Sequence, residues 1–123
     1  MNKKIIVIDD SQTIRDQVGT TLRQAGYEIL EAVDGIDGAA VIEKAPDAAL
    51  VICDVNMPKR NGLELLEGLR KDDRFKTLPV VMLTSEGQPH LIERARKSGA
   101  KGWLVKPFKA DLLLAAVRKL TAS

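Results

Sequence analysis

Three carboxylates in this sequence follow apolar runs, at positions where a strand would end. Asp9 and Asp10 come directly after Ile5–Ile8, and Asp54 comes directly after Leu50–Cys53. The carboxyl ends of parallel strands meet at one edge of a sheet, which is where ligands bind in such folds. Three carboxylates at one edge repel one another, and a hard divalent cation with oxygen ligands is the usual reason for such a cluster. The spacing therefore predicts a cation site.

Two further side chains that suit an anion follow the fourth and fifth apolar runs. The hydroxyl of Thr84 comes after Pro79–Leu83, and the ammonium group of Lys106 comes after Gly102–Val105. Carboxylates that hold a cation, a hydroxyl group and an ammonium group together suit the binding of a phosphoryl group. Phosphoryl transfer depends mostly on positioning and charge neutralisation, which these groups can provide. The evident strong nucleophile in this set is a carboxylate, and carboxylates do form acyl phosphates. The sequence therefore predicts phosphoryl chemistry at this edge.

These residues can act together only if a sheet brings four strand ends to one edge, and the hydrophobic pattern predicts such a sheet. Five apolar runs alternate with five stretches of helical character, which favours an α/β fold. Such alternation implies a doubly wound, five-stranded parallel sheet with helices on both faces and right-handed crossovers. The predicted strands are 4–8, 28–32, 50–53, 79–83 and 102–105, and the predicted helices are about 12–25, 36–44, 62–70, 89–98 and 110–120.

Local signals support several of these boundaries. Gly26 is a natural stop for the first helix, Asn61 can cap the third, and Pro89 is favoured in the first turn of the fourth. Ile29 in the second strand lies between polar residues, which predicts an edge strand. The fourth strand is an uninterrupted apolar run, as expected for a strand that is covered on both faces.

Composition indicates a single domain, residues 1–123, with an aliphatic core. Hydrophobic residues make up 45% of the chain but aromatic residues only 3%, so aliphatic side chains must fill the core. Cys53, the single cysteine, cannot form an intrachain disulfide, which fits a reducing cytoplasm, and it is interpreted as a small core residue. The basic residues are spread along the chain, which argues against nucleic-acid binding. No apolar run approaches membrane-spanning length, and the N-terminal residues lack a signal-peptide pattern.

Four motifs occur in order along the chain: IDDSQTIR, CDVNMPKRNG, MLTSE and GAKGWLVKPF. With them the sequence resembles, over its whole length, the receiver domain of two-component response regulators. The resemblance implies the flavodoxin-like, CheY-like (βα)5 fold with strand order 2-1-3-4-5, and a cis peptide bond between Lys106 and Pro107. The sequence ends directly after the fifth helix, so we expect a stand-alone receiver without an output domain.

The resemblance also implies roles for the acidic residues. Asp54 would be the phosphoacceptor, and Asp9, Asp10, Asp54 and the backbone carbonyl of Asn56 would hold Mg²⁺, with Mn²⁺ as an alternative. Without the resemblance, Asp9 and Asp10 could simply favour the N-terminus of the first helix, where negative charge is stabilising. Asn56 and Glu86 occupy positions that tune dephosphorylation in receivers, although both could equally be solvated loop residues.

Thr84 and Lys106 are implied to contact the phosphoryl group, and Thr84 and Trp103 to form the switch. In the family the hydroxyl moves toward the phosphoryl group and an aromatic side chain then swings inward. Many receivers have Tyr or Phe at the position of Trp103. Taken alone, Thr84 would suit a strand-end cap, and Trp103 would suit ordinary packing. The output surface is implied to lie on the fourth helix, fifth strand and fifth helix, with His90, Ile92, Arg96, Trp103 and Ala116.

The function that the resemblance implies is signalling. A histidine kinase of the chemotaxis type would donate its phosphoryl group to Asp54, and self-catalysed transfer and hydrolysis would be the only catalysis. The stretch GQPHLIERARKSGAKGWLVKPF is most similar to chemotaxis and motility receivers, which bind a motor switch or another protein or act as phosphate sinks. Leu112, Leu114 and Ala115 make the fifth helix apolar around much of its girth, which indicates either a partner or dimer surface or deeper burial.

Three other functions fit parts of the pattern. An aspartyl phosphatase of the dehalogenase type carries an Asp-x-Asp pair after its first strand, whereas this chain has adjacent acids there and no cap domain for a substrate. A flavin-binding electron carrier needs a phosphate loop rich in Ser, Thr and Gly after the first strand, where Asp9 and Asp10 would repel a phosphate. A scaffold that works without phosphorylation would not need all five site residues, which are intact.

Overall fold

Strands and helices alternate along the chain in the computed structural model, which describes residues 3–57, 61–84 and 89–122. The strands are β1 (Lys4–Ile8), β2 (Glu28–Ala32), β3 (Leu50–Asp54), β4 (Val80–Thr84) and β5 (Gly102–Val105). The helices are α1 (Gln12–Gln24), α2 (Gly35–Lys44), α3 (Gly62–Arg70), α4 (Pro89–Lys97) and α5 (Ala110–Thr121). The predicted alternation of five strands and five helices is confirmed.

The five strands form one parallel sheet in the order β2-β1-β3-β4-β5. The predicted doubly wound fold, its strand order and the edge position of β2 are therefore confirmed. Two strands extend one residue further than predicted, because Asp54 pairs with Leu83 and Thr84 pairs with Val105 in the ladders. Both polar residues are thus the last members of buried strands. The peptide bond between Lys106 and Pro107 is cis, as expected.

Alternate side chains of the sheet enter two separate hydrophobic clusters, one on each face. Ile6 and Ile8 belong to a cluster with residues of α2, α3 and α4. Ile5 and Val7 belong to a second cluster with residues of α1 and α5. Helices therefore cover both faces of the sheet, which explains why the central strands are continuous apolar runs. Cys53 is fully buried in the first cluster, so its interpretation as a core residue is confirmed.

Polar side chains cap the starts of α1, α2 and α3. The side chain of Ser11 accepts a hydrogen bond from the Ile14 N–H at the start of α1. The side chain of Asp34 accepts one from the Asp37 N–H at the start of α2. Asn61 and Glu64 form a capping box at the start of α3, which confirms the predicted cap. Gly26 follows α1 with a φ of 96°, a conformation that glycine adopts without strain. No helix in the described ranges is long and apolar enough to cross a membrane.

Candidate functional site

The candidate site lies at the carboxyl edge of the sheet, where four strands end side by side. Asp54 and Thr84 end β3 and β4, Asp9 directly follows β1, and Lys106 directly follows β5. Asp9, Asp54 and Thr84 are buried, whereas Asp10 is exposed. The fold therefore brings together the five residues that the strand ends predicted.

Lys106 bridges the two buried carboxylates. Its Nζ lies 2.7 Å from Asp9 Oδ2 and 3.5 Å from Asp54 Oδ1, and its own backbone N–H donates to the Thr84 carbonyl at 2.7 Å. The other oxygen of Asp9, Oδ1, accepts a hydrogen bond from the Ser11 N–H at 2.9 Å. Asp9 is therefore held through both carboxylate oxygens, while Asp54 is held less closely.

The three carboxylates are spaced for a cation. Asp9, Asp10 and Asp54 each place one oxygen within 4.8 Å of the others. Within the described ranges, Asp54 Oδ1 is buried without a hydrogen-bond partner, and a buried polar atom of this kind calls for an ion, a water or a ligand. Carboxylate oxygens are the ligands that Mg²⁺ prefers. These residues therefore fit the divalent cation that the sequence predicted.

The hydroxyl of Thr84 is a second buried polar group for which the described residues supply no hydrogen-bond partner. It ends β4, which pairs with β3 up to Asp54 and Leu83, so Thr84 follows directly after the residue that is paired with Asp54. A buried hydroxyl without a partner can donate to an oxygen atom of a ligand at low cost, since no existing hydrogen bond must be broken. Thr84 therefore suits contact with an oxyanion bound beside Asp54.

The environment of Asp54 disfavours its charge. Burial and, after it, the charge of Asp9 raise the pKa of its carboxyl group, Lys106 opposes both, and the net result is a pKa of about 6. Burial alone would lower the pKa of Lys106, but its hydrogen bond to Asp9 and the charge of Asp54 outweigh burial and leave that pKa raised. At neutral pH the site therefore contains an ionised carboxylate that gains strongly from any added positive charge.

The backbone that presents Asp54 is closely packed. The Val55 N–H donates to the Leu83 carbonyl at 2.9 Å, and the Gly62 N–H donates back to the Val55 carbonyl at 3.0 Å. A Cβ at Gly62 would lie only 2.2 Å from the Asp54 carbonyl oxygen. The start of α3 therefore lies directly against the end of β3, and only glycine allows this approach.

Comparison with known proteins identifies the family. Residues 5–118 match the response regulator receiver domain. The chain belongs to the response regulator receiver family. The receiver is 40% identical over 111 residues to chemotaxis protein CheY1 of Helicobacter pylori, a match that covers 89% of this chain and 90% of that protein.

Solved receivers have the same fold. The structure of CheY4, a chemotaxis protein of Vibrio cholerae, superposes with a TM-score of 0.91 at 38% identity and covers 98% of this receiver and 99% of that chain. The structure of a complex of CheX and CheY with BeF3 and Mg²⁺ from Borrelia burgdorferi superposes with a TM-score of 0.90 at 25% identity. The match covers 98% of this receiver and 90% of the matched chain.

The residues that the resemblance placed outside the acidic cluster are spread over several elements of this receiver. Trp103 lies on β5 opposite Met82, two ladder positions before the pair formed by Thr84 and Val105, and it is 38% exposed. Asn56 is exposed two residues after Asp54. Glu86 lies outside the described residues.

The residues expected to form the output surface lie on α4, β5 and α5. His90 is exposed near the start of α4, and Arg96 is exposed near its end, paired with Glu93 at 2.7 Å. Ile92 and Ala116 are half-buried. On α5, Leu112 is 55% exposed while Leu114 packs against the second core cluster, so only part of its apolar girth faces outward.

Arg15 is a residue of the site that the sequence reasoning did not single out. Its guanidinium Nη1 donates to the Asp9 carbonyl at 2.6 Å, and its Nε donates to Glu31 at 3.1 Å. Arg15 is part of the motif IDDSQTIR, but a cation near the start of a helix is normally an exposed residue. Its place in the first turn of α1, six residues after Asp9, was the available signal.

Proposed function

We propose that this receiver accepts a phosphoryl group on Asp54, with Mg²⁺ held by Asp9, Asp10, Asp54 and the backbone carbonyl of Asn56. One observation carries the proposal: a buried Asp54 oxygen, without a hydrogen-bond partner among the described residues, lies 3.5 Å from Lys106 and beside two more carboxylates. When bound, Mg²⁺ supplies positive charge that offsets the carboxylates and the phosphoryl oxygens. Mn²⁺, which takes the same ligands, is an alternative.

The transfer uses Asp54 as the nucleophile. Its carboxylate oxygen attacks the phosphorus atom of a phosphohistidine, an oxygen–phosphorus bond forms, and the nitrogen–phosphorus bond breaks with its electron pair returning to the imidazole. Asp54 must be ionised to attack, and with a pKa of about 6 it is mostly ionised at neutral pH. In the later hydrolysis, a water oxygen attacks the phosphorus atom, the bond to the Asp54 oxygen breaks with its electron pair returning to the carboxylate, and inorganic phosphate leaves.

Lys106 and Thr84 act on the oxygens of the transferred group. Lys106 is already 3.5 Å from the accepting carboxylate, so its ammonium group can neutralise a phosphoryl oxygen there. The Thr84 hydroxyl donates to another oxygen, which satisfies a buried group that lacks a partner within the described ranges. Asn56 and Glu86 are proposed to tune the rate of hydrolysis.

The phosphodonor is proposed to be a histidine kinase of the chemotaxis type, acting in the cytoplasm. A groove of about 780 Å³ runs beside Lys106, between α1 and the start of α5, and its lining includes Gln17 and Phe108. This groove opens next to the site, so a donor bound there could present its phosphohistidine to Asp54. The similarity to chemotaxis protein CheY1 supports this type of kinase.

The output is proposed to be contact with a second protein, such as a motor switch, through the surface on α4, β5 and α5. Trp103 is partly exposed on that surface and lies on the strand that pairs with the strand of Thr84, so it can report a change at Thr84. A similar CheY has been crystallised with CheX, BeF3 and Mg²⁺, which supports protein partners and a Mg²⁺-bound phosphoryl mimic for this fold. Apart from its own phosphorylation and dephosphorylation, no enzymatic activity is proposed.

Intact mass after incubation with acetyl phosphate and Mg²⁺ tests the proposal. One phosphoryl adduct is expected on the wild-type protein, and none is expected on Asp54→Asn or in the presence of a chelator. An adduct that persists on Asp54→Asn would show that another residue is the acceptor.

Beryllofluoride distinguishes the remaining outcomes if no adduct is seen. It mimics the bound phosphoryl group without being hydrolysed, so a change in Trp103 fluorescence with beryllofluoride and Mg²⁺ would indicate an acceptor that loses its phosphoryl group quickly, as in a phosphate sink. No response to either reagent by the folded protein would favour a scaffold that works without phosphorylation.

A further inference from the structure

Arg15 is a mostly buried cation that contacts the backbone of the acidic site. Its side chain is 12% exposed. Nη1 donates a short hydrogen bond of 2.6 Å to the Asp9 carbonyl, and hydrogen bonds from a charged donor are stronger than neutral ones. Nε donates to the Glu31 carboxylate on β2 at 3.1 Å. The guanidinium group is therefore fixed by two acceptors on different elements.

The hydrogen bond from Arg15 acts on the peptide group that joins the two acids. The Asp9 carbonyl belongs to the peptide bond between Asp9 and Asp10, so its orientation sets the direction in which Asp10 leaves β1. On the other side, the Asp9 N–H donates to the Ala32 carbonyl at 3.1 Å. Asp10 itself is exposed. Its position in the cation site therefore depends on the backbone that Arg15 holds.

We propose that Arg15 is a positioning residue for the divalent cation, which acts by fixing the peptide group between Asp9 and Asp10. This inference rests on the proposed function, because it needs a cation bound by those acids. Groups that orient the ligands of a metal commonly change its affinity by about 10- to 100-fold when they are removed.

Charge and positioning predict opposite effects for the loss of Arg15. A positive charge near a cation site weakens cation binding, so by Coulomb's law alone its removal would strengthen binding. If Arg15 positions the acids, its removal weakens binding. The sign of the change therefore separates the two explanations.

Arg23 offers a matched control on the same helix. Its Nη2 lies 3.5 Å from the same Glu31 carboxylate that Arg15 contacts, but its side chain is 52% exposed. Arg23→Met removes the same charge and another contact to Glu31 while it leaves the hydrogen bond to Asp9 in place. Arg23→Met is expected to bind the cation as tightly as the wild-type protein or slightly more tightly.

The test is a titration with Mn²⁺, in which the free ion is counted by electron paramagnetic resonance and then displaced with Mg²⁺. Arg15→Met, which keeps the apolar stem but has no donor, is expected to weaken binding about tenfold. Arg15→Lys keeps the charge and one donor group, so it is expected to bind more tightly than Arg15→Met. Coulomb's law alone predicts the reverse order for these two variants.

Urea unfolding without metal shows how much of each variant is folded, so that affinities are compared for folded protein. Equal affinity of the folded wild-type protein and Arg15→Met, or tighter binding by Arg15→Met, overturns the role of Arg15 while the cation site stands. If the wild-type protein binds no Mn²⁺, or if Asp10→Asn binds it equally well, the proposed site itself fails and the role of Arg15 fails with it.

Discussion

At the scale of single residues, Asp54 is held where its negative charge is least favourable. It is 3% exposed and lies beside Asp9, and its pKa is raised to about 6 from an ordinary value of 3.8. The folded protein therefore binds this proton more tightly than the unfolded chain does. Between about pH 4 and pH 6 the folded state gives up stability as the pH rises, and above pH 6 the loss is complete.

Asp54→Asn is expected to stabilise the metal-free protein at pH 7.5, because it removes a buried charge that Lys106 only partly offsets. Each pKa unit corresponds to about 1.4 kcal/mol, so the gain in the free energy of unfolding is at most about 3 kcal/mol. The gain is expected to disappear near pH 4, where the wild-type carboxyl group is protonated. Urea unfolding of both proteins in a chelating buffer, between pH 4 and pH 7.5, measures the difference in their free energies of unfolding at each pH.

Asp73→Asn is the matched control for this change. The Asp73 side chain is 96% exposed, so the same substitution there removes a charge that water already solvates. It is expected to change the free energy of unfolding little at either pH. A stability difference between wild type and Asp54→Asn that does not vary with pH would contradict the electrostatic explanation.

At the scale of secondary structure elements, the end of β3 and the start of α3 are positioned by one close backbone contact. A Cβ at Gly62 would lie 2.2 Å from the Asp54 carbonyl oxygen and 2.8 Å from Met82 Cε. A backbone oxygen in a paired strand cannot easily move, so the neighbouring elements must shift instead. The geometry of the site thus depends on a residue without a side chain.

Gly62→Ala is expected to lower the free energy of unfolding by about 1–3 kcal/mol, the usual range for overpacking a buried position. It is also expected to reduce phosphorylation of Asp54 by acetyl phosphate in the fraction that remains folded. Urea unfolding and intact mass measure the two effects.

Gly19→Ala is the control, because Gly19 is also a buried glycine in a helix. The three atoms nearest to its Cβ would all belong to the end of the Arg23 side chain, the closest at 3.0 Å, and that flexible group can move. Since alanine favours a helix by up to about 1 kcal/mol over glycine, a neutral or stabilising effect is expected. If Gly62→Ala proved as harmless as Gly19→Ala, the close contact would not be what fixes Asp54.

The elements themselves were largely predictable from the sequence, whereas the contacts between them were not. Strands such as 4–8 and 102–105 were marked by apolar runs, and Asn61 was a recognisable cap. The close approach at Gly62 and the bond from Arg15 to Asp9 arise only when distant segments pack together. Periodicity reports which side of an element is buried, but it does not report what that side touches.

At the scale of the whole molecule, the sheet separates two hydrophobic clusters, and the site lies at the edge where both clusters end. The apolar pattern predicted a parallel sheet covered on both faces, and it did so correctly. The strand order 2-1-3-4-5 followed only from the resemblance to receivers, because hydrophobic runs carry no information on which strands are neighbours. That order is what places Asp9, Asp54, Thr84 and Lys106 side by side.

Mg²⁺ is expected to stabilise the whole fold, because the three carboxylates converge only in the folded state. A ligand that binds only the folded state adds RT ln(1 + [L]/Kd), which is about 1.4 kcal/mol at a Mg²⁺ concentration ten times Kd. The midpoint of urea unfolding should therefore rise with Mg²⁺. Asp10→Asn, a change at an exposed residue, should abolish most of this rise, and an equal rise in that variant would place the ion elsewhere.

The first and last described segments meet at the edge of the sheet opposite the acidic site. Lys3, just before β1, donates through Nζ to the Thr121 carbonyl at the end of α5, and the hydroxyl groups of Tyr27 and Thr121 lie 3.0 Å apart. A reporter or surface tether attached near Lys3 or Thr121 would therefore leave the acidic site open.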